Sequence, residues 1–248
     1  MDSRIKNEIS KKWDEVLDHE YDLVEAAQNS HGGDDAIFVD VGCGALGLLG
    51  RKPGRLAALQ AHSLGLDIDQ EALAKNPYIT YRACASCYSL PLKDNSVDVV
   101  ACRWLFEHLE TPEKAIREFG RVLKKGGILY IKTPNLWNYS MLFSQVTPTF
   151  VHNMFRSMSG YRDNIPTFYR ANTKKKLAEL ATQCGFEVSH LETYSYSYMY
   201  YAFNKEVFHA MRGVSRMMGK ISGFSSPNSP SLRSISPTRS RNELICNA

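Results

Sequence analysis

Residues 36–41, Ala-Ile-Phe-Val-Asp-Val, form a nearly unbroken apolar run that enters a glycine cluster. That is the pattern of a strand buried on both faces that feeds a tight turn. Further short runs at 63–67, 79–83, 97–101 and 127–132 predict a second to a fifth strand. Helical periods separate them. One covers 70–75 and stops near Asn76-Pro77; another covers 112–123, where Ala115, Ile116, Phe119, Val122 and Leu123 share a face ahead of the stop signal Lys124-Lys125-Gly126. Strands alternating with helices predict an α/β architecture, a doubly wound, mostly parallel sheet covered on both faces.

The flanking segments follow other patterns. Ile5, Ile9, Trp13, Val16, Leu17, Leu23 and Val24 recur at helical intervals among charged positions, so residues 1–30 read as an amphipathic helical lid on the domain. A main domain over 31–203 then carries an aromatic-rich insertion at 136–172, after the fifth strand, which has no clean period. A helix at 173–184 ends at Gly185, and 186–191 reads as another strand. Tyr194, Tyr196, Tyr198 and Tyr200 would line one face of an extended segment. Over 204–221 Val207, Phe208, Met211, Val214, Met217, Met218 and Ile221 alternate with basic residues, giving an amphipathic helix with a basic face. It can pack on the parent domain and cover the sheet edge, or make a peripheral contact with an anionic membrane. Residues 222–248 are rich in Ser, Pro and Arg and read as a disordered tail. No clean apolar seventh strand precedes that tail.

Composition excludes several classes. Of the 248 residues 44% are hydrophobic and 23% charged, an ordinary globular balance. A net charge of +4 is too small for a nucleic-acid-coating protein, and no nucleic-acid partner is expected. The charged N-terminal twenty residues lack the apolar stretch of a secretory signal, which points to the cytoplasm. Six scattered cysteines are then expected to stay reduced, and Cys84-x-x-Cys87 has no second pair to complete a zinc site.

The strongest chemical signal is Asp40-Val41-Gly42-Cys43-Gly44-Ala45-Leu46-Gly47, followed by Asp67 at the end of the next predicted strand. Gly42, Gly44 and Gly47 let the backbone turn sharply and approach a ligand, and the later carboxylate can accept two hydrogen bonds from ribose hydroxyls. A ribose-containing cofactor at the carboxyl ends of the strands follows. NAD and S-adenosylmethionine both meet that description.

A longer string of ordered motifs separates them: Val39-Asp40-Val41-Gly42-Cys43-Gly44, Gly65-Leu66-Asp67, residues 89–100 from Ser-Leu-Pro onward, Glu107-His108-Leu109, residues 121–127 and Thr133-Pro134-Asn135. Over about 36–135 the chain closely resembles class I S-adenosylmethionine-dependent methyltransferases of the type 11 family. The resemblance implies a Rossmann-like sheet of seven strands with S-adenosylmethionine across the ends of the first, second and fourth. Asp40 and the 42–47 loop would cradle the methionine part, and Asp67 would hold the ribose. Near the adenine, where the family often has an acid, stand Ser86 and Cys87, with Ser86 as a neutral hydroxyl acceptor. Arg103, ending the fourth strand, is a candidate for the methionine carboxylate, and a solvent-facing strand end is the alternative.

In-line methyl transfer needs positioning rather than a covalent residue. For a hydroxyl acceptor His108 is the candidate base, with a structural Glu107-His108 pair as the other reading and His152 as a second candidate. Similar quinone-biosynthesis O-methyltransferases carry an additional Glu three residues before the Glu-His pair, and here that position is Trp104, so no metal is expected. The acceptor would be a small molecule, a sugar or a lipid-linked compound. Two alternatives stand beside a methyltransferase. One is an NAD-dependent dehydrogenase or epimerase, for which Tyr201 and Lys205 have a matching spacing; the other is a non-catalytic binding module on the same fold.

Overall fold

A computed structural model of the chain describes residues 3–30, 33–136, 165–192, 204–222 and 243–247. Its centre is a seven-stranded sheet: β1 (Phe38–Val41), β2 (Ser63–Asp67), β3 (Tyr81–Cys84), β4 (Val97–Arg103), β5 (Leu123–Lys132), β6 (Glu187–Glu192) and β7 (Glu243–Asn247). The order is β3-β2-β1-β4-β5-β7-β6, and every described pairing is parallel. The sheet grows from β1 toward β3 on one side and toward β6 on the other. The reversal between β1 and β4 opens a crevice at the carboxyl ends of the strands, where ligands bind in open α/β sheets.

Burial explains why the strands were so apolar. Every residue of β1 and β4 is buried, and along β5 the side chains alternate between two cores. Leu129 and Ile131 face the core that also holds Phe106, Ile116, Phe119 and Phe186; Ile128 and Tyr130 face the other, with Tyr21, Leu23, Val24, Phe38 and Leu59. Helices cover both sides, as the doubly wound reading requires. On the first face lie α4 (Pro112–Val122) and α5 (Lys174–Gln183); on the second lies α1 (Ser3–Ser30), with the single turns α2 (Ala57–Ala61) and α3 (Gln70–Ala74) between β1 and β3. Pro112 starts α4 at a position whose N–H needs no partner. Arg121 near its end bonds Glu118, Asp94 and the Leu90 and Leu92 carbonyls, fastening the 89–94 loop to the helix.

Two boundaries differ from the sequence reading. β5 begins at Leu123, which pairs with Val97 before the chain slips at Gly126 and resumes at Ile128 opposite Val99. The 222–248 stretch, read as a disordered tail, is not wholly without structure: Glu243–Asn247 enters the sheet as β7 between β5 and β6, supplying a seventh strand from within the tail. Among its described side chains, the final amphipathic helix, α6 (Lys205–Ser222), packs on α1. Phe208 is buried with Ile5, Ile9 and Met211 lie against them, and Arg212 pairs with Glu8. Among the described residues no helix is long and apolar enough to cross a membrane. Residues 137–164 of the aromatic insertion, His152 among them, and the tyrosines from 194 to 201 lie outside the described residues.

Candidate functional site

The glycine cluster leaves β1 at the reversal point and is pinned there by β2, since Gly42 N–H donates to the Leu66 carbonyl at 2.7 Å. Asp67 closes the loop from the other side. Its Oδ2 accepts from Gly44 N–H at 2.7 Å and its Oδ1 from Asp69 N–H at 2.8 Å, so the carboxylate bridges the two strand ends with a lone pair left on each oxygen. Asn76, fully buried, donates from Nδ2 to the Gly44 carbonyl and receives Tyr78 N–H. The loop is thereby fixed before any ligand arrives.

Two glycines need their lack of a side chain for different reasons. A Cβ on Gly47 would stand 2.5 Å from Asp40 Oδ2, with φ at +60°, so the turn cannot close over a larger residue. A Cβ on Gly44 would meet nothing nearer than Asp67 Oδ2 at 4.0 Å. That open space beside a carboxylate is the cradle a ribose-bearing ligand requires, and a side chain there would fill it. Gly42 faces Leu105, 3.3 Å from where its Cβ would lie.

Asp40 sits beneath the loop and accepts Leu48 N–H at 2.7 Å. Burial pushes its carboxyl pKa up to about 7, against the lowering effect of that hydrogen bond and of Arg103. Leu48 is held from a second direction as well: the Tyr21 hydroxyl of α1 donates to its carbonyl and accepts Lys52 N–H. Lys52 and Arg55 form ion pairs with Asp18, Asp22 and Glu25 of the same helix. The N-terminal helix is therefore a clamp on the segment that follows the loop.

That segment separates the two cofactor classes. Residues 42–56 run through turns and one 3-10 turn (Leu49–Arg51), and the next α-helix, α2, starts only at Ala57. Pro53 and Gly54 break the helical run. Dinucleotide sites seat a pyrophosphate on a helix N-terminus directly after the glycines. Here no helix N-terminus meets the loop, whereas the Gly44–Asp67 cradle suits S-adenosylmethionine, which carries a ribose and no phosphate.

Beyond β4 the chain bends sharply. Trp104 takes φ +54°, rare for a bulky residue, is partly exposed, and donates its N–H to the Lys132 carbonyl at 2.9 Å. A 3-10 turn (Phe106–His108) follows. His108 Nδ1 lies 2.8 Å from the Pro166 carbonyl. Since that carbonyl can only accept, Nδ1 donates to it, and in the neutral tautomer this leaves the lone pair on Nε2. Glu107 serves the scaffold: its carboxylate accepts the Thr133 hydroxyl and its carbonyl takes Phe168 and Tyr169 N–H. Asn172 bonds Thr133 and the Pro134 carbonyl, so this network draws 165–172 against the end of β5.

The structure brings Asp40, Gly42, Gly44, Gly47 and Asp67 together, as the sequence suggested. Ser86 lies on the same edge, one residue beyond Ala85, whose N–H bonds the Asp67 carbonyl; it is exposed and its Oγ accepts Tyr88 N–H. Cys87 turns inward and joins the core with Val41 and Leu66, and burial lifts its thiol pKa to about 11. Arg103 departs from one expectation. It is not solvent-facing and its charge is shared with a residue no motif indicated: it is buried under α1 with its Nε 2.5 Å from Glu20 Oε1, and Lys132 Nζ lies 2.8 Å from Oε2 of the same residue. Burial alone would raise the Glu20 pKa, but Lys132 and then Arg103 outweigh it and hold the carboxyl below its usual range. Glu20, Tyr21 and Asn76 went unread as site residues, although an acid and an aromatic on the apolar face of α1 were visible signals. A cavity of about 370 Å³ between Glu110, Arg117, Arg170 and Lys176 borders α4 and α5, apart from the glycine loop.

A profile of the methyltransferase domain matches residues 39–131. The chain is similar to a probable S-adenosylmethionine-dependent methyltransferase of Mycobacterium tuberculosis, 32% identical over 106 residues that cover 41% of this chain and 37% of that protein. It is also similar to a ubiquinone biosynthesis O-methyltransferase of Cupriavidus pinatubonensis, 24% identical over 168 residues, 64% of this chain and 63% of that one. The chain thus spans less than two thirds of the length of these relatives. Among solved structures a possible histamine N-methyltransferase of Thermotoga maritima aligns at 20% identity, covering 74% of this chain and 78% of that chain with a TM-score of 0.45. Matched motifs and cradle coincide on the same strands, and over residues 39–131 the chain matches the type 11 methyltransferase-domain family.

Proposed function

We propose that the protein transfers a methyl group from S-adenosylmethionine to a hydroxyl of a small-molecule acceptor. The observation that carries this reading is the open Gly44–Asp67 cradle at the reversal of strand order. When bound there, the cofactor supplies an electrophilic methyl group on its sulfonium. Asp67 would hold the ribose hydroxyls, the 42–47 backbone the methionine part, and Ser86 the adenine edge. Asp40 keeps the loop in shape from below.

O-methylation is favoured by His108. Its orienting bond to Pro166 holds the ring in one tautomer, and Nε2 can take the proton that the acceptor hydroxyl loses as its oxygen attacks. The likeness to ubiquinone biosynthesis O-methyltransferases points the same way. Trp104, exposed and strained beside the loop, offers a flat wall against which an acceptor ring can stack. A sugar or lipid-linked acceptor has no comparable observation behind it.

The test is incubation of the protein with isotopically labelled methyl donor and cell extract, with mass spectrometry of the products. A labelled methyl ether is expected. His108→Ala should cut its formation by about 10²- to 10⁴-fold, the range of general-base catalysis, with cofactor affinity unchanged. Label on nitrogen or carbon would refute the O-methyl reading, and absence of labelled product together with absence of cofactor binding would refute the enzyme.

A further inference from the structure

A second cluster lies away from the glycine loop, where α1 meets the last strand of the sheet. His19 of α1 and His190 and Glu192 of β6 place one potential ligand atom each within 4.8 Å of one another. His19 Nε2 is 3.1 Å from Glu192 Oε2, and His190 Nε2 is 3.3 Å from Glu192 Oε1. We propose that these three side chains form a binding site for a divalent transition-metal ion of the zinc type, which fastens α1 to β6.

The distances carry the first argument. Zinc binds imidazole nitrogen and carboxylate oxygen at about 2.0–2.2 Å in tetrahedral geometry, which sets neighbouring ligand atoms about 3.3 Å apart. His19 and His190 each approach a different Glu192 oxygen, so whichever oxygen ligates, one histidine nitrogen already stands at about that distance from it. The other separations are at most 4.8 Å and have to close by about 1.5 Å at most to reach the tetrahedral spacing.

Burial carries the second. All three side chains are largely shielded, at 15%, 14% and 7% exposure for His19, His190 and Glu192. His190 Nε2 is fully buried, yet its approach to Glu192 is misaligned for a hydrogen bond. A buried ring nitrogen aimed at a carboxylate without an aligned bond is satisfied by a cation between them. Two imidazoles on one carboxylate exceed what an ordinary ion pair needs.

The fold fixes the set in place. Residues 190 and 192 are alternate positions of one strand and point to one face, and His19 comes from the helix packed on that face. Two nitrogens and one oxygen suit zinc and its neighbours and disfavour magnesium and calcium, which want oxygen ligands. A fourth position is left for water. His19 adjoins Glu20, the partner of Arg103 and Lys132, so the ion would secure the helix that clamps the glycine loop without touching the loop itself.

Tag-free, chelator-stripped protein titrated with zinc alone should bind one ion per chain. His19→Ala and His190→Ala should each weaken binding by tenfold or more, and zinc should raise the melting temperature of the parent protein but not of the variants. Magnesium should do neither. X-ray absorption at the zinc edge needs no variant: a first shell of nitrogen and oxygen with two imidazoles is expected. No stoichiometric zinc binding by the parent protein, sulfur in the shell, or affinity unchanged in both folded variants would overturn the proposal, with the methyl-transfer reading judged separately by cofactor titration.

Discussion

Replacing Asp40 by Asn tests whether the acid beneath the glycine loop is held by burial. In the unfolded chain its carboxyl releases a proton near pH 3.8, and in the folded chain near 7. Below pH 3.8 both states hold the proton and burial carries no charge penalty. As pH rises from 3.8 to 7 the unfolded chain ionises while the folded chain keeps its proton, so the stability contributed by this group falls across that interval and is fully lost once pH has passed about 7. Between pH 5.5 and 8.5 the two proton affinities imply about 1.5 logarithmic units of differential binding, or about 2 kcal/mol. Asn keeps an oxygen for Leu48 N–H and does not titrate. Urea unfolding at pH 5.5, 7.0 and 8.5 should therefore show the parent protein losing about 2 kcal/mol more than Asp40→Asn across that interval. Histidines that titrate in the same range act in both proteins and cancel in the comparison. Parallel profiles would refute the argument and mean that Asp40 is already ionised at pH 5.5 in the folded chain.

Other outcomes follow from contacts already described. Glu20→Ala strands Arg103 and Lys132 without their shared anion and should lower stability by about 3–5 kcal/mol in a denaturant titration; a loss below 1 kcal/mol would contradict the buried triad. Gly47→Ala collides with Asp40 and should destabilise more than Gly44→Ala, for which only about 1–2 kcal/mol of left-handed backbone strain applies. Calorimetry should nevertheless find that Gly44→Ala weakens S-adenosylhomocysteine binding, and the reverse order of stability would rule out the loop geometry. In sedimentation with anionic vesicles at low salt the protein should remain in the supernatant, because Phe208 and Arg212 are engaged with α1; pelleting that is lost on removal of residues 204–222 would return α6 to a membrane role.

Much of this was readable from sequence because β1, β4 and β5 are buried on both faces and so appear as apolar runs, and because α4 carries its own start and stop signals. The loop was readable for a different reason: Gly44 and Asp67 must both be present for the cradle to exist, and their spacing survives in the linear chain. What escaped is long-range. Nothing near Arg103 in sequence announces Glu20, and His19 is separated from Glu192 by most of the protein. β7 escaped because it is five residues long, with Leu244 and Ile245 between polar ends, in a stretch whose Ser, Pro and Arg content dominates any compositional reading. No α-helix follows the glycine loop between 48 and 56, where Pro53 and Gly54 interrupt the run, a local signal whose meaning emerged only with the cofactor question.

The meeting of Tyr21 and Asp40 on Leu48 ties two processes to one free energy. A ligand that orders the glycine loop also steadies the backbone to which α1 is bonded, and a helix that frays releases the loop. Such coupling is reciprocal by thermodynamic necessity. Amide protons of residues 16–28 should therefore exchange with deuterium more slowly when the cofactor analogue is bound, although α1 makes no contact with the cradle in the described hydrogen bonds. Residues 3–30 act less as a cover than as a tether whose tension is read out at the glycine loop.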